Sequence, residues 1–229
     1  MDIFTETVYW GVLISVGSYI LCDKIQRKKR LIFLNPLLFS TFFTIIFLAF
    51  FKVDYEVYYE QADYLYYLLS PATVCLAIPL YEQMNVLKKN IKAIFCGIVS
   101  GVLASMGSIL VFSIMFGFSH ELYVTLLPKS ITAAIAMGVS EEMGGIPSLT
   151  VPIVIMTGIT GHIISEKVCK IFKITEPIAK GIAIGSASHA MGTTKAIEMG
   201  EIEGAMSSLS IAVSGVITVA CSFAFVRFY

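Results

Sequence analysis

Residues 93–118 read AIFCGIVSGVLASMGSILVFSIMFGF, 26 positions without an Asp, Glu, Lys or Arg. About 20 predominantly apolar residues suffice for an α-helix to cross the hydrocarbon core of a bilayer, so this stretch predicts a membrane span. Within it Gly97, Gly101 and Ser105 recur every fourth residue. On a helix that spacing makes one narrow face of small side chains, which lets a second helix approach closely. Outward along the chain, Leu31–Phe51 and Gly204–Val226 are equally free of charge, and Ile3–Cys22 is interrupted only by Glu6. Charged residues make up 14% of the 229 positions, where a soluble domain carries about 25%, and the mean hydropathy is +0.83. The sequence therefore predicts an all-α, polytopic integral membrane protein with six to eight hydrophobic helical segments, some broken or re-entrant. Spans are expected near 3–22, 31–51, 64–84, 93–117, 147–168 and 203–226, with half-spans near 130–145 and 177–196.

Charge placement gives an orientation. Asp23–Arg30 holds five basic residues in what reads as a short loop, and Lys88, Lys89 and Lys92 follow the third apolar segment. Loops rich in Lys and Arg stay on the cytoplasmic side, which places the N-terminus outside. The Lys167–Lys180 region is basic again. Only one clear span, 147–168, separates it from the outer segment near His120, so parity favours a segment at 130–145 that does not cross. The N-terminus lacks the basic region of a signal peptide. A net charge of zero and the absence of a basic-aromatic surface give no sign of nucleic-acid binding. Cys22, Cys75, Cys96, Cys169 and Cys221 show no metal-binding spacing, so they read as small apolar residues, and no metal or cofactor is expected. A faint internal repeat pairs Ser70–Glu82 with Lys129–Glu141, 59 positions later; repeats of this kind occur in transporters.

Two stretches hold polar chemistry between apolar segments. In the first, Ser140-Glu141-Glu142 is followed by Gly144-Gly145, Pro147 and Ser148. Paired glycines permit an unwound turn, and proline suits the first turn of a new helix. The pattern reads helix, break, helix. The uncapped start of the second helix suits a carboxylate or phosphate, and an ordinary interfacial turn fits the same residues. Glu141 and Glu142 fit two roles, solvated headgroup-level charges or proton carriers facing a cavity. In the second stretch, GIAIGSASHAMGTTK from Gly181 to Lys195, Ser186, His189 and Thr193 share one helical side. Here His189 fits either a satisfied packing residue or a proton carrier near neutral pH. The candidate substrate-binding residues are Thr132, Ser140, Gly144, Gly145, Pro147, Ser148, Ser186, Ser188, Gly192, Thr193 and Lys195. Glu141, Glu142 and His189 are the candidate proton carriers. No serine sits in a nucleophile-elbow context, so no catalytic residue and no enzyme activity is expected.

The strings SPATVCLAIPLYEQ, KSITAAIAMGVSEEMGGIPSLT and EPIAKGIAIGSASHAMGTTKAIEMGEIEGA resemble the LrgB/CidB family of bacterial membrane proteins. The resemblance is densest from Leu69 to Ala205 and implies a single LrgB-like transmembrane domain over 1–229. One departure is visible: relatives often read T-T-P-I-A where this chain has Thr132-Ala133-Ala134-Ile135-Ala136, so no proline kink is expected there. The resemblance implies an antiholin- or holin-like protein of the bacterial cytoplasmic membrane that modulates murein hydrolase activity and autolysis. It implies a smaller LrgA/CidA-type membrane partner, and a homo-oligomer within the lipid bilayer is expected. Related systems are linked to pyruvate uptake, and a plastid relative carries glycolate and glycerate. Two functions are therefore expected: transport of a small carboxylate anion, or regulation of autolysis through oligomerisation without transport.

Overall fold

A computed structural model of the chain describes residues 9–29, 36–68, 71, 74, 75 and 77–229. Among these the regular structure is helical, with no strand. The α-helices are α1 (Trp10–Lys29), α2 (Pro36–Phe51), α3 (Tyr55–Ala62), α4 (Ala77–Glu82), α5 (Met84–Phe116), α6 (His120–Leu126), α7 (Ala133–Glu142), α8 (Pro147–Ile171), α9 (Pro177–Met199) and α10 (Glu201–Phe225). The chain divides into two compact units, 1–75 and 76–229. Among the described residues three helices are long and apolar enough to cross a membrane: Met84–Phe116, Pro147–Ile171 and Glu201–Phe228. They contain the spans expected at 93–117, 147–168 and 203–226. Positions 3–8, 31–35, 69, 70, 72, 73 and 76 lie outside the described residues, so the expected spans at 3–22, 31–51 and 64–84 and the repeat at Ser70–Glu82 fall partly outside them.

In the first unit, hydroxyl groups fasten the helices. Ser18 Oγ lies 3.2 Å from Thr44 Oγ1, joining α1 to α2, and Ser15 Oγ lies 2.7 Å from the Tyr58 hydroxyl, joining α1 to α3. The Gln61 side chain accepts from the Gly11 amide at 3.2 Å. The basic run expected as a loop is helical as far as Lys29. Lys, Arg and Gln are good helix formers, and no Gly or Pro interrupts them between Ser18 and Lys29.

The second unit is built on α5, α8 and α10. Ile94, Ile98, Val102, Met106 and Ile109 form one buried stripe along α5, at the spacing of a helix face. Tyr123, Val124 and Leu127 of α6, Ile182 of α9, and Ala205 and Met206 of α10 complete that core. Small residues let α9 lie close on α10. A Cβ at Gly181 would stand 2.5 Å from the Glu203 carbonyl oxygen, and one at Gly185 would stand 2.8 Å from both Ser207 Cα and Ser210 Cβ. Both ends of α9 belong to the end of the unit that carries Lys170, Lys173 and Lys180, called here the basic end. Lys180 there faces Glu203 at 3.7 Å, and Lys195 faces Glu166 at 3.6 Å.

That placement requires α9 to double back. A straight 23-residue helix would be about 34 Å long, yet Lys180 and Lys195 line one groove. The turn is at His189, with φ 43° and ψ −142°. Residues 184 and 192 would be about 12 Å apart along a straight helix; instead a Cβ at Gly192 would lie 3.2 Å from the Ile184 carbonyl oxygen. Gly185 and Thr193 both meet Ser207, and Ile197 meets Gly204. The arms 177–188 and 190–199 thus run side by side from the basic end to a tip at 188–190.

A second hairpin comes from the other end. The chain leaves α5 at Gly117, whose left-handed φ of 62° ends that helix. Ser119 caps α6 through a 3.2 Å bond from the Leu122 amide. After Leu127 the chain turns and returns as α7, which runs antiparallel to α8: Ala136 packs with Val154, and Ser140 Oγ lies 2.8 Å from Thr150 Oγ1. The tip of this hairpin is 127–132. The expected break between Ser140 and Ser148 is present, with Gly144 at φ 78° and Pro147 opening α8. It joins the far end of α7 to α8 and lies well away from the tip.

Candidate functional site

The two tips meet. Val154 packs against Ile131 of the first tip, and its carbonyl accepts from His189 Nε2 of the second at 2.9 Å. A carbonyl only accepts, so Nε2 carries the proton in this contact. His189 is 5% exposed. Gly158 leaves room for its ring, since a Cβ there would stand 2.6 Å from His189 Cε1. Beside it the Thr193 hydroxyl donates to the His189 carbonyl at 3.0 Å and lies 2.7 Å from Ser207 Oγ. His162 of α8 holds the returning arm: the Met191 carbonyl accepts from His162 Nδ1 at 3.2 Å.

A groove of about 610 Å³ lies between α5, the first arm of α9 and the α6–α7 tip. Its walls are mostly small, with Gly97, Gly101 and Ala104 from α5 and Ala183, Ser186 and Ala187 from α9, and Ile182 is the bulky apolar side chain among them. The closest approach is at Gly101, where a Cβ would be 2.6 Å from Ser186 Oγ. Lys129 and Ser130 enter this groove from the α6–α7 tip. Lys129 Nζ donates to Ser105 Oγ at 3.2 Å and to Ser130 Oγ at 3.1 Å, and the two hydroxyls are 2.8 Å apart. Ser105 stands about 17 Å along α5 from Phe116 and about 20 Å from Lys92, at 1.5 Å per residue. This cation is therefore near mid-helix. Among the described residues no carboxylate lies within ion-pair distance of it.

The candidate residues named from sequence separate into groups. Ser186 lines the groove. Thr132 is the N-cap residue of α7, at the same tip as Lys129, and its side chain makes no capping bond. Ala134 falls in the first turn of α7, where even a proline would interrupt no backbone hydrogen bond. Ser188 is at the tip of α9 and packs against Gly161 of α8, while Gly192 and Thr193 are on the returning arm. Ser140 is buried beneath the break, where the Thr150 hydroxyl bonds it, and the Gly145 amide donates to its carbonyl at 2.7 Å. The Ile146 amide donates to Thr125 Oγ1 at 2.9 Å, so part of the expected anion-binding helix start is already engaged. Pro147 opens α8 half-buried, while Gly144, Ser148, Glu141 and Glu142 are exposed. Lys195 pairs with Glu198 at 3.0 Å and with Glu166 at the basic end. Lys129, Ser105, Ser130 and His162 were not among the candidate site residues, Ser105 having been read only as part of a small-residue packing face. One signal pointed to Lys129: it is the only Lys or Arg between Lys92 and Lys167. Among the described residues no group of three or more His, Cys, Asp or Glu could hold a metal ion.

Three apolar helices of membrane length, with two helical hairpins dipping between them from opposite ends, define a multi-span helical membrane protein with a largely apolar groove beside Lys129 near mid-helix. The chain belongs to the LrgB-like family, which matches it over residues 15–228. It is similar to the uncharacterized protein YxaC of Bacillus subtilis (strain 168), 38% identical over 206 residues that cover 90% of each chain. No solved structure matches it.

Proposed function

We propose that this protein is a transport component for small monocarboxylates of the 2-oxo and 2-hydroxy type, such as pyruvate and glycolate. It acts in the bacterial cytoplasmic membrane with an LrgA/CidA-type partner and without enzymatic chemistry, and its effect on murein hydrolases and autolysis follows from carboxylate flux. The observation that carries this reading is the meeting of two opposed hairpin tips near mid-helix, next to a groove where Lys129 has no carboxylate within ion-pair distance among the described residues. Transporters place substrates near the midplane, between discontinuous helices, because broken backbone is tolerated at depth only where protein or a wet cavity satisfies it. The basic end, with Lys88, Lys89, Lys170 and Lys173, faces the cytoplasm on this reading.

The test is uptake of labelled pyruvate into proteoliposomes that hold this chain with its small partner. Saturable uptake above partner-only vesicles is expected. Uptake at background, with the effect on autolysis intact in cells, supports oligomer-driven regulation instead. Gly101→Leu does not separate the two readings, since Gly101 faces Ser186 in the groove. The proton-carrier role of Glu141 and Glu142 has its own readout. Loss of pH-dependent uptake in Glu141→Gln or Glu142→Gln supports it, and wild-type pH dependence in both removes it.

A further inference from the structure

Lys129 is a cation that the fold has carried to an expensive place. A charge near the centre of a bilayer is costly and is ordinarily paired or turned to a wet cavity. Here its described partners are two neutral hydroxyls. We propose that the Lys129 ammonium, held between Ser105 and Ser130, is the group that grips the carboxylate of a short monocarboxylate. The proposal rests on the transport reading above and assigns that reading its binding residue.

Proton counting supports it. An ammonium has three N–H donors, and two are directed to Ser105 Oγ and Ser130 Oγ. The third remains for a ligand. Each serine accepts from Lys129, and the pair at 2.8 Å shares one hydroxyl proton between them. The other hydroxyl proton is left over. One face of the cluster therefore offers two donors, an ammonium N–H and a serine O–H, to match the two oxygens of a carboxylate. Bonds from an ionised donor to an ionised acceptor are the strong class. The N-terminal end of α7 begins four residues on, at Ala133, and adds positive potential.

The walls set the rest of the ligand. Beside the cluster the groove is lined by Ala104, Ala183, Ala187 and Ile182, an apolar surface that suits a short, largely apolar body. A single positive charge balances a single negative one. A dicarboxylate would leave its second charge at the same depth without a partner, so the site selects monoanions.

The full chain with its partner, in nanodiscs, is titrated with pyruvate, with the neutral analogue pyruvamide and with the dianion malonate; the same preparation is tested for pyruvate uptake in vesicles. Pyruvate binding is expected, with pyruvamide and malonate at least ten-fold weaker. Lys129→Gln should weaken pyruvate binding on the order of 10- to 100-fold, the worth of a hydrogen bond to a charged group, while Lys129→Arg, which keeps the charge, should lose less. If Lys129→Gln fails to fold, the three-ligand comparison on the unaltered protein decides the question. Pyruvamide binding as well as pyruvate, or Lys129→Gln binding pyruvate normally, overturns the proposal while wild-type uptake keeps transport standing. An unaltered protein that neither binds nor moves pyruvate overturns both.

Discussion

Replacing Gly185 with alanine tests whether α9 is a hairpin laid on α10. The added Cβ would fall inside contact distance of the Ser207 carbonyl oxygen and stand 2.8 Å from Ser207 Cα and Ser210 Cβ. Two of those three atoms are backbone of a helix core, so no rotamer change relieves the clash. The arm 177–188 would have to lift, loosening the Gly181 contact one turn away and straining the Thr193–Ser207 bond on the other arm. Overpacking of this kind costs about 1–3 kcal/mol. For a chain of this size about 1 kcal/mol moves the melting temperature by about 2–4 °C, so Gly185→Ala should melt about 2–12 °C lower. The control is Gly107→Ala. Nothing lies within 4 Å of a Cβ at Gly107, and alanine is the better helix former by about 1 kcal/mol, so that variant should match or exceed the wild type. The assay is thermal unfolding of the purified protein in one detergent. A Gly185→Ala protein that melts with the wild type would refute the hairpin packing, because a single straight α9 would carry Gly185 away from Ser207 or leave Thr193 without it.

His189 should reverse the usual order of alanine and glycine. In a continuous helix glycine is about 1 kcal/mol worse than alanine, but φ 43° with ψ −142° is glycine territory. His189→Gly should therefore be at least as stable as His189→Ala by thermal unfolding, both below wild type; the ordinary order would mean the turn is elsewhere. The Thr193–Ser207 pair, fully buried at 2.7 Å, should give a coupled double-mutant cycle. Thr193→Val leaves a buried hydroxyl without its partner and should cost about 1–3 kcal/mol, and adding Ser207→Ala should cost little more; strict additivity would count against the bond. Gly144 and Gly145 should respond to different remedies. Gly144 is left-handed in open space, so Gly144→Ala should cost about 1 kcal/mol and Gly144→Asn less. Gly145→Ala would press on Thr125 N and Oγ1 at 3.0 Å and should unfold earlier than either. Equal melting of all three variants would contradict the geometry of the break.

The spans were legible because one physical quantity decides them. Residues 93–118, 147–168 and 204–226 are too apolar and too long for a soluble fold, and the helices there follow. Ends of helices were legible where the backbone chemistry is local, as with Pro147 at the start of α8 and Gly144 before it. Less legible was the course of α9. Its sequence has helix-compatible residues throughout, and the residue at the turn is a histidine, which gives only a weak local signal for positive φ. The turn is imposed by tertiary contacts: Gly181, Gly185, Gly192 and Gly204 remove the side chains that would keep two arms and α10 apart. A small-residue pattern marks close packing but does not say whether the partner is another helix or the same one returning.

The candidate site shows the same limit from the other side. Glu141, Glu142 and the two glycines drew attention because acidic residues and glycines are unusual among apolar segments, yet their rarity has two causes that sequence does not separate. A charge can be rare because it is deep and functional, or because it marks the place where the chain reaches an exposed end. The structure shows Glu141 and Glu142 exposed at the far end of α7. Lys129, held near mid-helix, was less conspicuous, being a single residue after a proline in a short connection. What distinguishes it is position relative to α5: the hairpin tip brings it to Ser105, about 17 Å from the nearer end of that helix. Depth is a tertiary property, fixed by how far α6 runs before it turns. For an uninterrupted span, counting along the chain gives depth directly. For a hairpin it does not, and the residue that travels furthest inward is the one at the turn.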